Sequence, residues 1–191
     1  MARDAQETRR RIFTAATAEF AAHGIAGARI DRIAERAGAN KQLIYAYFGN
    51  KRRLFEAVIS EHVTRFVESV PFDAERLPEY AAAAFDHFTA YPDVMRLGQW
   101  HSLEPGETEH RIPVIEKAIG ARTRLIAKAQ ADGLLDATIP PEELLALVTT
   151  LASTWAIGTP ERSPRAGVGP KVVARRRAAA VEAVRRLVSR P

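Results

Sequence analysis

Lys41, Gln42, Leu43, Tyr45, Tyr47 and Lys51 stand within one short stretch of this sequence, and together their side chains cover the chemistry of a nucleic-acid surface. A lysine donates to guanine N7 and O6, and a glutamine pairs with adenine N6 and N7. Lys41 has the alternative of meeting phosphate alone, and Leu43 that of touching a thymine methyl or turning inward as core. Tyrosine hydroxyls ligate phosphate when exposed; the other reading of Tyr45 and Tyr47 is as partly buried core aromatics. Net charge supports a polyanionic partner locally rather than globally. Residues 1–60 carry +5, residues 61–161 carry −8 and residues 162–191 carry +8, within a total of +5. A basic N-terminal block releases counterions on binding phosphates, although solvated helix faces produce the same counts.

Helices must position these groups. Ala, Leu, Glu and Arg dominate the sequence, with glycines and prolines between periodic stretches and no alternating β-branched runs, so the class is all-α. A first helix is predicted over 4–23, with Ile12, Phe13, Ala16 and Phe20 on its inward face and Gly24 ending it. A second spans 30–37. Gly38 and Ala39 then form a turn, and Asn40 caps a very short helix running to 47. Two short helices around a glycine turn make a helix-turn-helix, whose second helix enters the major groove and presents its N-terminal residues, here Lys41 and Gln42, to the bases. Asn50 can cap a fourth helix over 51–69 with Leu54, Phe55, Val58, Ile59 and Phe66 inward. Lys51 falls in its first turn, where the helix dipole is already positive. A phosphate bound there, by lysine and free amides together, would resolve the conflict. Ile33, Ala34, Ile44 and Phe48 are the packing positions of the module.

The segment Ala28 to Ile59 resembles the DNA-binding signature of the TetR (tetracycline repressor) family, in which an IA–AG pair precedes a Y–YF–K stretch. Ile33, Ala34, Ala37, Gly38, Tyr45, Tyr47, Phe48, Lys51 and Leu54 match at the family's spacing. The resemblance implies an N-terminal three-helix DNA-binding domain over 1–50 and a helical effector-binding and dimerisation domain over 51–191. Residues 51–70 form the linking helix, and the chain holds about nine helices in total. It further implies a homodimer on a palindromic double-stranded operator, a small-molecule effector that releases it, and Lys51 on a phosphate. Arg29, Asn40, Gln42 and Leu43 depart from the family's usual threonine, serine, small residue and threonine. Arg29 can grip a phosphate in threonine's place. Arg3, Arg9, Arg10 and Arg11 form an arm that either adds phosphate or minor-groove contacts or is simply solvated.

Beyond residue 60 the resemblance is architectural. Helices are predicted over 75–90, 92–103, 110–132, 141–157 and 171–189, with a Gly- and Pro-rich loop from Gly158 to Pro170. Leu144, Leu145, Val148, Leu151 and Trp155, and Val173, Ala180, Val184, Leu187 and Val188, form two stripes that suit either a four-helix dimer seam or an intrachain core. Phe85, Phe88, Tyr91, Met95, Trp100 and Trp155, with His87, Gln99 and His101 as polar anchors, are pocket candidates whose alternative is plain core. The acidic middle block leans toward a neutral or cationic effector. His101, Glu104, Glu107, Glu109 and His110 are of metal-ligand type, but Pro105-Gly106 breaks the helix, and the segment reads as a solvated acidic loop with no metal. No nucleophile–base pair, phosphate-binding glycine loop or paired carboxylates stand out, so neither catalysis nor a cofactor is expected. The absence of cysteines and of long apolar runs predicts a chain in the cytoplasm, off the membrane. The rival reading is a DNA-binding regulator without an effector, whether constitutive, activating or partnered by a protein. A fully packed interior would favour it.

Overall fold

Positions of glycine, proline and short polar caps decide where the helices of this chain begin and end. The computed structural model describes residues 2–103, 112–156 and 168–189. Among them stand nine α-helices and one 3-10 turn: α1 (Ala2–Gly27), α2 (Ile30–Ala37), α3 (Lys41–Phe48), α4 (Lys51–Ser69), the turn Ala74–Arg76, α5 (Leu77–Ala90), α6 (Pro92–Leu103), α7 (Pro113–Ala131), α8 (Pro141–Ser153) and α9 (Pro170–Val188). The described residues divide into two compact units. Those through Val63, with Arg96–Leu103 and Ile112, form the first; the remainder form the second. The division falls inside α4 and inside α6.

In the first unit, Gly24 (φ 65°, ψ −174°) breaks the helical path of α1 where a stop is predicted, although helical hydrogen bonding resumes and carries the element to Gly27. Gly38 (φ 59°, ψ 41°) closes α2 in the left-handed conformation that costs glycine least, and the Ala39 N–H returns to the Ala34 carbonyl at 3.0 Å. Asn40 caps α3, its Oδ1 accepting the Leu43 N–H at 2.7 Å, and Asn50 accepts the Arg53 N–H at 2.8 Å at the start of α4. Ile12, Ala16, Phe20, Ile33, Ile44, Leu54, Phe55 and Val58 are buried at their common centre. Phe20 meets Phe55 edge to face at 5.1 Å. Each of these large side chains contributes roughly 1.5–3 kcal/mol by leaving water.

In the second unit the core gathers Phe66 from α4; Leu77, Tyr80, Ala84 and Phe88 from α5; Ile126 from α7; Leu144, Leu145 and Val148 from α8; and Val184 from α9. Phe88 stacks on Phe66 at 5.1 Å. Leu144, Leu145 and Val148 of the α8 stripe and Val184 of the α9 stripe thus lie in the intrachain core, with Leu151, Leu187 and Val188 packed at its edge. Boundaries differ from the periodicity by a few residues, and at α5 and α8 side-chain hydrogen bonds show why. The 3-10 turn, capped by Asp73 Oδ1 accepting the Glu75 N–H at 2.9 Å, precedes α5 and delays its start. α8 stops at Ser153 rather than near 157, because the Ser153 and Thr154 hydroxyls turn back to the Thr150 carbonyl at 3.3 and 2.8 Å and close the last turn. Trp155 thus lies past the helix. Most of the loop Gly158 to Pro170, from Gly158 through Gly167, is outside the described residues.

Candidate nucleic-acid interface

α3 is anchored by two side chains. Ile44 and Phe48 are buried, whereas Lys41, Gln42, Tyr45 and Tyr47 are exposed and Leu43 is half-buried. The tyrosines are 45% and 39% exposed, so both hydroxyls are accessible to a phosphate. The Lys41 ammonium pairs with the Asp31 carboxylate near the start of α2, and both groups stay largely in solvent. Such a pair contributes little to stability and is easily exchanged for a phosphate or a base edge. Asn40, exposed, spends its Oδ1 on the helix cap.

The corner between α1 and α2 is held by polar groups. Arg29, the exposed N-cap of α2, has extended backbone (φ −121°, ψ 125°) and no side-chain cap of its own. Its N–H donates instead to Glu19 Oε1 at 3.0 Å, and Arg32 Nε donates to the same oxygen at 2.7 Å. Arg32 Nη2 also reaches the Gly27 carbonyl at 3.0 Å. Lys51 Nζ donates to the Ala26 and Ala28 carbonyls at 3.3 and 3.1 Å. The conflict between lysine and helix dipole is thus relieved within the chain by two carbonyl oxygens. Burial alone would raise the Glu19 carboxyl. The Arg32 hydrogen bond and charge, the Arg29 amide and the charge of His23 outweigh it and hold Glu19 below the ordinary carboxylate range, so it is ionised at neutral pH.

Glu19 is the residue that sequence reasoning missed. It lies three residues past Ala16 on the inward stripe of α1, and a carboxylate in an apolar stripe signals that a partner must exist. The expected arm differs too, because α1 is helical from Ala2. Arg9 lies over the Phe48 ring at 5.9 Å, Arg10 pairs with Glu7 at 2.7 Å and Arg11 reaches Thr8 Oγ1 at 3.4 Å. The Arg3 side chain is outside the described residues.

The pocket candidates separate. Trp100 and His101 belong to the first unit: Trp100 Nε1 donates to the Ala21 carbonyl at 3.3 Å beside Arg96 Nε at 2.8 Å, and the His101 ring lies 6.4 Å from that of Phe55. Helical spacing along α6 carries no information about which residues pack against its C-terminal half, and these contacts supply it. Phe85, Phe88, Tyr91, Met95 and Trp155 belong to the second unit. Phe85 is buried against Trp155 at 6.1 Å, Phe88 is core, Met95 packs on that core and Tyr91 is 55% exposed. His87 touches Tyr91 and hydrogen-bonds Ser69 Oγ through Nδ1 at 3.2 Å, and burial lowers its pKa. A hollow of about 380 Å³ between α5 and α9, floored by Pro78, Ala82, Ala83 and Val181, is lined by none of these aromatics. Glu104, Glu107, Glu109 and His110 are outside the described residues, among which no cluster of three metal-ligating side chains occurs. Among the described residues no helix is long and apolar enough to cross a membrane.

A buried-faced short helix, a glycine turn and a second short helix exposing Lys41, Gln42 and two tyrosines define a helix-turn-helix DNA-binding regulator. The comparisons with known proteins agree. Residues 12–58 match the family described as bacterial regulatory proteins, tetR family, and residues 76–186 match the tetracyclin repressor-like C-terminal domain. The HTH-type transcriptional repressor SCO4008 of Streptomyces coelicolor is 42% identical over 161 residues, 84% of this chain and 83% of that protein. The crystal structure of SCO4942 from the same organism superposes with a TM-score of 0.82 at 43% identity, covering 96% of this chain and 99% of that one. FadR of Bacillus subtilis, crystallised with stearoyl-CoA, shares the fold at a TM-score of 0.71 and 16% identity, over 92% and 97% of the two chains. The chain belongs to the TetR family of transcriptional regulators, which act by binding DNA and not by catalysis.

Proposed function

We propose that this protein is a repressor that binds a palindromic operator as a homodimer and is released by a small molecule. The exposed face of α3 carries the reading: Lys41 and Gln42 stand at its N-terminal end and Tyr45 and Tyr47 at its flank, while Ile44 and Phe48 hold it inward. In this reading Gln42 and Lys41 meet base edges, Leu43 a thymine methyl, and Arg29, Asn40, Tyr45, Tyr47 and Lys51 the phosphates. Residues 1–50 act as the DNA-binding domain and 51–191 as the effector and dimerisation domain, in the cytoplasm. The repressor name of a relative 42% identical over most of both chains supports the direction of regulation.

The effector would be met by Phe85, Phe88, Tyr91, Met95 and Trp155 of the second unit. To release DNA it must bind the non-operator state better than the operator-bound one. A second reading, regulation without a small molecule, draws support from the tight packing of Phe66, Phe88 and Tyr80 in that unit. Sequencing the DNA enriched by the purified protein from genomic fragments tests the proposal. An inverted repeat that the protein then releases on adding a compound shown to bind it is the expected result. No enriched repeat, or release by no compound that demonstrably binds, refutes the operator or the effector half respectively.

Gln42→Ala should relax preference at a single base pair of each half-site, by about 1 kcal/mol, and leave binding to unrelated duplex unchanged. Competition assays across single-base operator variants would show it. Equal losses on operator and unrelated DNA would remove Gln42 from the base-reading set.

A further inference from the structure

We propose that Glu19 is a positioning residue for operator recognition, setting the placement of α2 and, through it, of the base-reading helix α3. Its side chain is 1% exposed, on α1, and one oxygen receives both the Arg29 N–H at 3.0 Å and Arg32 Nε at 2.7 Å. Oε2 has no hydrogen-bond partner, and His23 Nε2 lies 3.9 Å from it. The two donors lie three residues apart, at the N-cap and in the first turn of α2. Holding both therefore fixes where α2 starts and how it is rotated about its axis. Arg32 extends the hold to the Gly27 carbonyl at 3.0 Å. A carboxylate is also the group best placed at the positive end of a helix that has no side-chain cap of its own.

Rotation of α2 does not stay local. Gly38 and Ala39 join it to α3 by a tight hydrogen-bonded turn, and Asn40 caps α3 immediately after. Base contacts tolerate small displacements poorly because each requires a donor at a set place on a base edge, whereas phosphate contacts by flexible cations tolerate them well. Loss of the Glu19 hold should therefore remove specific binding and spare non-specific binding. A merely structural role would instead lower both together, through the fraction of folded protein.

This inference rests on α3 being the base-reading helix, and the experiment separates the two. Full-length wild type, Glu19→Gln, Arg32→Lys and the double variant are each used to select from one randomised duplex library. Affinities are then measured for the wild-type motif and for a scrambled duplex, with helix content and unfolding temperature alongside. Expected are an operator affinity about tenfold lower in Glu19→Gln, an unchanged scrambled-duplex affinity and salt slope, and no further loss in the double variant. Should Glu19→Gln fail to fold, Arg32→Lys, which keeps the charge and loses the paired geometry, carries the same expectation. Equal losses on both duplexes, or an unchanged operator affinity, overturn the role of Glu19 while leaving the operator reading intact. A wild type that enriches no motif overturns the operator reading and this inference with it.

Discussion

Gly24→Ala is expected to destabilise the protein by roughly 3 kcal/mol, the largest loss of any single substitution considered. At φ 65° and ψ −174° the residue occupies a backbone region essentially reserved for glycine. Space is lacking as well. A Cβ on Gly24 would lie 2.8 Å from Trp100 Cε3 and 2.9 Å from Cδ2, closer than packed carbon atoms approach. The indole is tied by its Nε1 to the Ala21 carbonyl, which also accepts from Arg96 Nε, so the ring can retreat only by giving up that bond. Denaturant titration of Gly24→Ala beside Gly24→Ala/Trp100→Ala separates the two causes. Removing the indole should recover the steric part relative to Trp100→Ala alone and leave the backbone part. A Gly24→Ala protein within about 0.5 kcal/mol of wild type would contradict the described break in α1.

Lys51→Ala should weaken binding to operator and scrambled duplex alike by about 2 kcal/mol, and reduce the salt slope by about one charge. An ammonium has three donors, and in the free protein two of them serve the Ala26 and Ala28 carbonyls. The third remains for a backbone phosphate. Binding there would let the lysine brace the start of α2 and grip DNA at once, at the positive end of the α4 dipole. Lys51→Arg should retain the slope and lose part of the affinity, since a planar fork cannot reproduce three diverging donors. Affinity measured over a range of salt concentrations decides the matter. A Lys51→Ala protein that is less stable yet keeps the wild-type slope would leave the lysine a purely internal brace.

Features set by near neighbours were readable in the sequence. Asn40 and Asn50 cap where expected because an Asx side chain satisfies amides three residues on, and Gly38 closes α2 because its requirement is local. The inward faces of α1 and α4 follow from helical period alone. What escaped depends on partners distant along the chain. Glu19 is visibly out of place among apolar positions, but its partners lie ten and thirteen residues on, past a glycine break. Trp100 groups by composition with the aromatics of α5, whereas its hydrogen bond runs to Ala21, 79 residues earlier. Similarly, Lys51 reads from its position as a cation awaiting an anion, while two carbonyls more than twenty residues upstream already receive it. The stripes of α8 and α9 show which faces are apolar and not whose apolar surface covers them.

Of the eight residues of α3, only Ile44 and Phe48 are buried. Mutations at Lys41, Gln42, Tyr45 or Tyr47 therefore cost the scaffold little, and exposed substitutions of this kind commonly fall within ±0.5 kcal/mol in stability. With α3 as the proposed operator-reading helix, selection on the fold and selection on the operator would act on almost separate sets of letters. A lineage duplicating this gene could drift through new operators one side chain at a time, with each intermediate still folded.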